Sequence, residues 1–201
     1  LGTGQWERLG SEELRGLSAG QWSSVSSEDL NALSGSQWSL MASDDLRGLQ
    51  AAQWLSMTSE DMAALTGPQW GSLSSEALRA LSTAQWQSVS IEDLSGLNAL
   101  QWSVLGTAAI EALTTQQWQG LASDDLRGLS AGQWSSVSSE DLNALTGPQW
   151  AVMASEDLRG LLSGQWAAMT SEDLVSLNGA QWSSLSTEAL VALSTSQWRS
   201  M

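Results

Sequence analysis

Tryptophan stands at residues 6, 22, 38, 54, 70, 86, 102, 118, 134, 150, 166, 182 and 198, every sixteenth position, with no insertion or deletion. A period this strict dictates a repeat architecture. One such unit cannot bury its apolar side chains alone, so units must stack on their neighbours. Gln precedes every Trp. Leu stands eleven residues after Trp in all twelve complete units, from Leu17 to Leu193. A third apolar column runs eight residues after Trp, as Leu14, Leu30, Leu46 and Met62 begin it. A fourth runs three residues after, from Leu9 and Val25 to Met201. The register reads as one continuous array over residues 1–201.

Each unit divides into two octads, one of the form L-S-x-x-Q-W-x-x and one of the form V-S-S-E-D-L-x-x. The spacing predicts one short helix per octad. With Ser18 as N-cap, Gln21 falls at N3, the reciprocal partner of a capping box, and Leu17 and Trp22 fall at N′ and N4, the two ends of a hydrophobic staple. In the next octad Ser26 caps, Asp29 is N3, and Val25 and Leu30 form the staple. Glu28 and Asp29 then sit in the first turn, where free N–H groups favour negative charge. Nine of twelve units carry acid at the Asp29 place; Ala77, Ala109 and Ala189 are the exceptions. Ala42, Ala122 and Ala154 replace the capping Ser; Ser43, Ser123 and Ser155 could cap one residue later, which leaves the helix start open by one residue at these places. Pro68 and Pro148 fall at N2, where no intrahelical hydrogen bond is lost. Helices of about two turns are unstable alone in water and exist only by packing. The expected fold is therefore an all-α solenoid of very short helices.

A β-solenoid with one repeat unit per coil fits the same period and is the alternative. Apolar spacings of 3 and 5, rather than 2, argue against it. So do columns rich in Leu and Met. It would also stack the Asp29 column at about 4.8 Å, where carboxylates repel; helical layers about 8–10 Å apart relieve that. Disorder does not fit four unbroken apolar columns and 13 Trp. A small residue always stands ten places after Trp (Gly16, Ala32, Gly48, Ala64 and so on to Ala192), which predicts a close backbone approach there.

Composition narrows the chemistry. The chain has no His, Cys, Tyr, Phe or Lys, and 7 Arg face 22 acids for a net charge of -15. Nucleophile–base catalysis and zinc binding lack their usual residues. Glu28 and Asp29 are adjacent, so they do not share a helix face, and their uniform copies offer no unique acid–base pair. Acidic rows could attract calcium, but EF-hand spacing is absent and capping explains the acids. No catalytic, cofactor-binding or metal-ligating residue is expected, and no cofactor. The acidity repels nucleic acid and anionic lipid. No apolar stretch approaches the roughly 20 residues of a membrane span. Arg15, Arg47, Arg79, Arg127 and Arg159 stand three residues after an acid, a weak helix-supporting pair. The Trp column is read first as core, and second as an exposed row that could bind glycans or a protein partner.

The octads "LTTQQWQG" at 113–120 and "LSTAQWQS" at 81–88 resemble the Leu-Thr-Thr-x-Gln eight-residue repeats of long bacterial surface and adhesin-like proteins. The pattern covers the whole chain, with Trp where that family usually has an aliphatic residue. The resemblance implies an extracellular or cell-surface structural region. Near-perfect register and missing lysine also fit a designed repeat protein, which would be soluble recombinant material. The opening at Leu1, midway through a repeat, suggests a processed chain or a piece of a longer one. The expected function is a structural scaffold, spacer or self-assembly element, with end-to-end self-association or attachment to further repeats. The alternative is a repetitive binding module using the Trp ladder.

Overall fold

The computed structural model describes residues 2–201. Among them are twenty-five α-helices of four to six residues and no β-strand. The all-α solenoid holds and the β-solenoid does not. Helices begin where the octads place them: Ser18 caps Ala19–Trp22, Ser26 caps Ser27–Leu30, and Pro68 lies in the first turn of Gly67–Trp70.

The chain turns between helices without special residues. After Thr83–Ser88, Val89 (φ -66°, ψ 131°) and Ser90 (φ -71°, ψ 158°) are extended, and Ile91 opens the next helix. Such backbone suits any L-residue. Among the described residues none has positive φ and no peptide bond is cis. Apolar side chains can therefore occupy the turns themselves, which is why the sequence carries no recurrent Gly or Pro punctuation.

The structure settles the helix starts that the sequence left open by one residue. Ala42, Ala122 and Ala154 remain the N-cap residues of Ser43–Arg47, Ser123–Arg127 and Ser155–Gly160, and the following serines are N1 rather than caps. The N3 aspartate holds the helix start: Asp45 Oδ2 accepts from the Ala42 N–H at 3.0 Å, and Asp125 and Asp157 accept likewise from Ala122 and Ala154. The carboxylate half of the box suffices, so the start does not slip.

Two compact units divide the chain, residues 1–105 and 106–201. In both, a helix packs against the third helix along. In the first unit Thr3–Trp6 meets Ser27–Leu30 and Ser11–Arg15 meets Gly35–Leu40; in the second Ala131–Trp134 meets Ser155–Gly160. Three is odd, so a tryptophan octad packs on an acidic octad. Long-range hydrogen bonds in the first unit span 25, 28 and 31 residues. Each unit thus winds with between three and four octads per turn, and stacking does not follow the two-octad sequence repeat. Carboxylates of one column are spread around the winding instead of lying directly above one another, which limits their repulsion.

The close approach predicted from the small column is present. A Cβ on Gly96 would lie 2.3 Å from the Gly67 carbonyl oxygen, and one on Gly160 would lie 2.3 Å from that of Ala131. Both contacts reach backbone on the preceding turn of the winding. Of the five expected Arg pairs, three form among the described residues, including Arg47 with Asp44 at 2.9 Å and Arg127 with Asp124 at 3.0 Å. Both pairs are largely exposed and contribute little stability. Beyond expectation, Arg47 Nε and Arg79 Nε donate to the Ser72 and Val104 carbonyls 25 residues ahead, tying one turn to the next.

Candidate functional site

The Gln-Trp pair is the most distinctive local chemistry, and its two members do different work. Trp22, Trp38, Trp54, Trp70, Trp86 and Trp102 in the first unit are 0–1% exposed, as are Trp118, Trp134, Trp150 and Trp166 in the second. The column is core. Trp118 and Trp134, one period apart, bring their rings to 5.9 Å at 41°; Trp6 and Trp22 do so at 6.0 Å and 41°. Tilted pairs at this distance are favourable beyond their burial. Only towards the end of the second unit does the column open: Trp182 is half-buried and Trp198 is 48% exposed.

Gln faces two ways. Its Oε1 closes the cap of its own helix: Gln85 Oε1 accepts from the Ser82 N–H at 2.8 Å and from the Ser82 hydroxyl at 3.0 Å. Its Nε2 reaches a different turn of the winding. Gln85 donates to the carbonyls of Trp54, 31 residues back, at 2.8 Å and of Met57, 28 residues back, at 2.9 Å. Gln37, Gln53, Gln69 and Gln101 repeat this within the first unit. Gln149, Gln165, Gln181 and Gln197 repeat it within the second. These carbonyls lie at the C-terminal ends of short helices. The Trp carbonyl also accepts the backbone N–H three residues on, as Trp54 does from Met57 at 3.3 Å. The Gln amide adds to that, so one amide caps the start of one helix and braces the end of another.

The aspartates hold the matching place in the acidic octads. Asp61 Oδ2 accepts from the Thr58 N–H at 3.0 Å and the Thr58 hydroxyl at 2.7 Å. A carboxylate has no donor for the second role. Its environment shows instead in its acidity. Burial raises the pKa of Asp93, Asp141 and Asp157 above 3.8, more than the cap hydrogen bonds lower it, and the neighbouring glutamate adds to the rise. The Trp134 indole N–H faces the Asp157 carboxylate and draws its pKa part of the way back, without closing a full hydrogen bond.

These raised values have a sign. The folded state binds protons more tightly than the unfolded chain, so their stabilising contribution is complete below 3.8 and fades as pH rises through the folded values. Acidification also relieves the net charge of -15. Thermal melts followed by circular dichroism at constant ionic strength are expected to give a higher midpoint near about pH 4 than near about pH 7. A lower midpoint at the acid end would contradict this account of the aspartate column.

Among the described residues no group of three or more His, Cys, Asp or Glu is placed to hold a metal ion. No helix among them is long and apolar enough to cross a membrane. Glu28 and Asp29 keep the first-turn places the sequence assigned, and Ser26 Oγ donates to Asp29 Oδ2 at 2.8 Å. Compared with models of protein families and with curated proteins, the sequence gives no match. The chain is a regular all-α repeat protein with one helix per octad and a sequence repeat of two octads.

The inter-turn role of Gln is what sequence reasoning missed. One signal was available. Gln precedes Trp in all thirteen cases, whereas the N3 place of the acidic octads accepts Ala77, Ala109 and Ala189. A cap alone does not demand such constancy. An amide offers an acceptor on one side and a donor on the other, which neither a carboxylate nor an alanine does.

Proposed function

We propose that the chain is a structural repeat scaffold, spacer or self-assembly element without catalytic activity, forming one continuous array and associating end to end with copies of itself or with further repeats. The observation that carries this reading is the Gln amide. The residues that set this sequence apart (Gln, Trp, Asp and Ser) are spent on capping helices, filling the core and joining turns. Little distinctive side-chain chemistry is left over for a ligand. The unbroken sequence period over residues 1–201 supports a single array. Octads such as "LTTQQWQG" support a place among bacterial surface and adhesin-like repeat regions, outside the cell, with a designed repeat protein as the competing origin. The glycan-binding alternative has less support, because Trp faces buried at 0–1% exposure cannot stack on sugar rings.

Tryptophan fluorescence tests the choice. The expected emission is blue-shifted, resists a soluble quencher, and does not move when oligosaccharides are added. Red-shifted, easily quenched emission that responds to an oligosaccharide would overturn the scaffold reading in favour of a binding module.

A further inference from the structure

The early helices of the first unit and the last helices of the second are unequal, and each set carries what the other lacks. Gln37 is buried and spends both amide hydrogens on carbonyls. Gln5 and Gln21 are exposed. Their Oε1 atoms accept from the Gly2 and Ser18 N–H groups, and their Nε2 atoms have no acceptor among the described residues. Leu9, Leu17 and Val25 beside them are half-buried, while the matching Leu33, Met41 and Leu49 are buried. In the second unit the Trp150 and Trp166 carbonyls receive Gln181 and Gln197. The Trp182 and Trp198 carbonyls receive no such donor among the described residues. Around them Leu174, Val175, Trp182, Trp198 and Met201 line an open apolar pocket of about 350 Å³.

We propose that these two sets present faces that join head to tail between two copies of the chain, in the register the internal winding uses. This rests on the self-assembly reading above and names its surface. Each amide donates to the carbonyls 31 and 28 residues before it. A second copy placed thirteen sequence periods along therefore brings its Gln5 amide to the Trp182 and Leu185 carbonyls. Its Gln21 amide reaches those of Trp198 and Met201. The same shift seats its Thr3–Trp6 on Thr187–Ala192 and its Ser11–Arg15 on Thr195–Ser200. Both are third-helix pairings of the kind found inside each unit. A two-fold pairing of like faces would set donor amides against donors and carbonyls against carbonyls, which selects the head-to-tail arrangement.

Sedimentation over a concentration series, with circular dichroism of every variant, tests this. The unmodified chain is expected to form dimers and longer species. In the double variant Gln5→Glu with Gln21→Glu the carboxylates still accept from Gly2 and Ser18, so the helices stay capped. They now face carbonyls with no hydrogen to give, and association is expected to weaken on the order of 100-fold. The double variant Val175→Glu with Met201→Glu changes two exposed residues of the opposite face and is expected to do the same. Mixed together, the two blocked variants retain one good face each and are expected to give a 1:1 dimer and nothing larger. If one blocked variant dimerises alone and mixing adds nothing, the head-to-tail register is wrong. The same holds if the unmodified chain associates and the Gln variant matches it, and the self-assembly reading then survives. A chain monomeric across the series sinks both.

Discussion

Trp134→Ala is expected to lower unfolding stability by about 3–5 kcal/mol, the range for removing a large aromatic from a packed core. Trp134 is fully buried and its ring lies 5.9 Å from that of Trp118. Truncation removes both the burial and the tilted ring pair. The winding cannot readily collapse to refill the space, because Gln165 holds the turn carrying Trp134 through hydrogen bonds to the Trp134 and Val137 carbonyls. Trp134→Phe keeps most of the ring contact. It removes an indole N–H that closes no full hydrogen bond, so its loss is expected to be smaller, about 1–2 kcal/mol. Chemical denaturation followed by far-ultraviolet circular dichroism measures both. An Ala variant within about 1 kcal/mol of the parent would mean that the column is not the core support its burial implies.

The legible and illegible parts of this fold separate by distance along the chain. Caps were readable because Ser18 and Gln21, or Ser26 and Asp29, lie three residues apart, and a local rule connects them. Burial of Trp22 and Leu30 followed from the fixed period, since nothing else could gather the apolar columns. The small column pointed correctly to a close approach, as Gly96 on Gly67 and Gly160 on Ala131 bear out. The winding number was hidden. It depends on the angle between helices joined by two extended residues, and pairs such as Val89 and Ser90 carry no sequence mark of that angle. Without it, the partners of Gln85 Nε2 could not be named, because they are backbone carbonyls, which every residue possesses. The start at Ala42 stayed open in the sequence because local preference offered the next Ser as a cap; the Asp45 carboxylate, accepting from the Ala42 N–H, decides it.

Gln85→Leu is the sharper test of how the turns are joined. Leucine is close to glutamine in size and more apolar, so a fold held by burial alone would tolerate it. Here the substitution strands three groups, the Ser82 N–H and hydroxyl and the Met57 carbonyl, and takes one of two partners from the Trp54 carbonyl, which keeps the Met57 N–H at 3.3 Å. Gln85 is only 4% exposed, so water cannot readily replace it. With buried unsatisfied groups costing about 1–3 kcal/mol each, and the hydroxyl free to rotate, the expected loss is roughly 3–4 kcal/mol. Gln85→Glu separates the two functions of the amide. It keeps the cap for Ser82 but sets a buried carboxylate against two carbonyls, so it should be at least as damaging as Leu at neutral pH. It should recover part of the loss in acid, where a protonated carboxyl can donate one hydrogen bond. The same change at exposed Gln21 should leave the melting midpoint of the monomer nearly unaltered, because its Nε2 has no acceptor among the described residues. Melts of the Gln85 and Gln21 variants side by side, at neutral and acidic pH, read all of this. Equal tolerance at both positions would show that apolar burial alone joins the turns and that the amide contacts only accompany it.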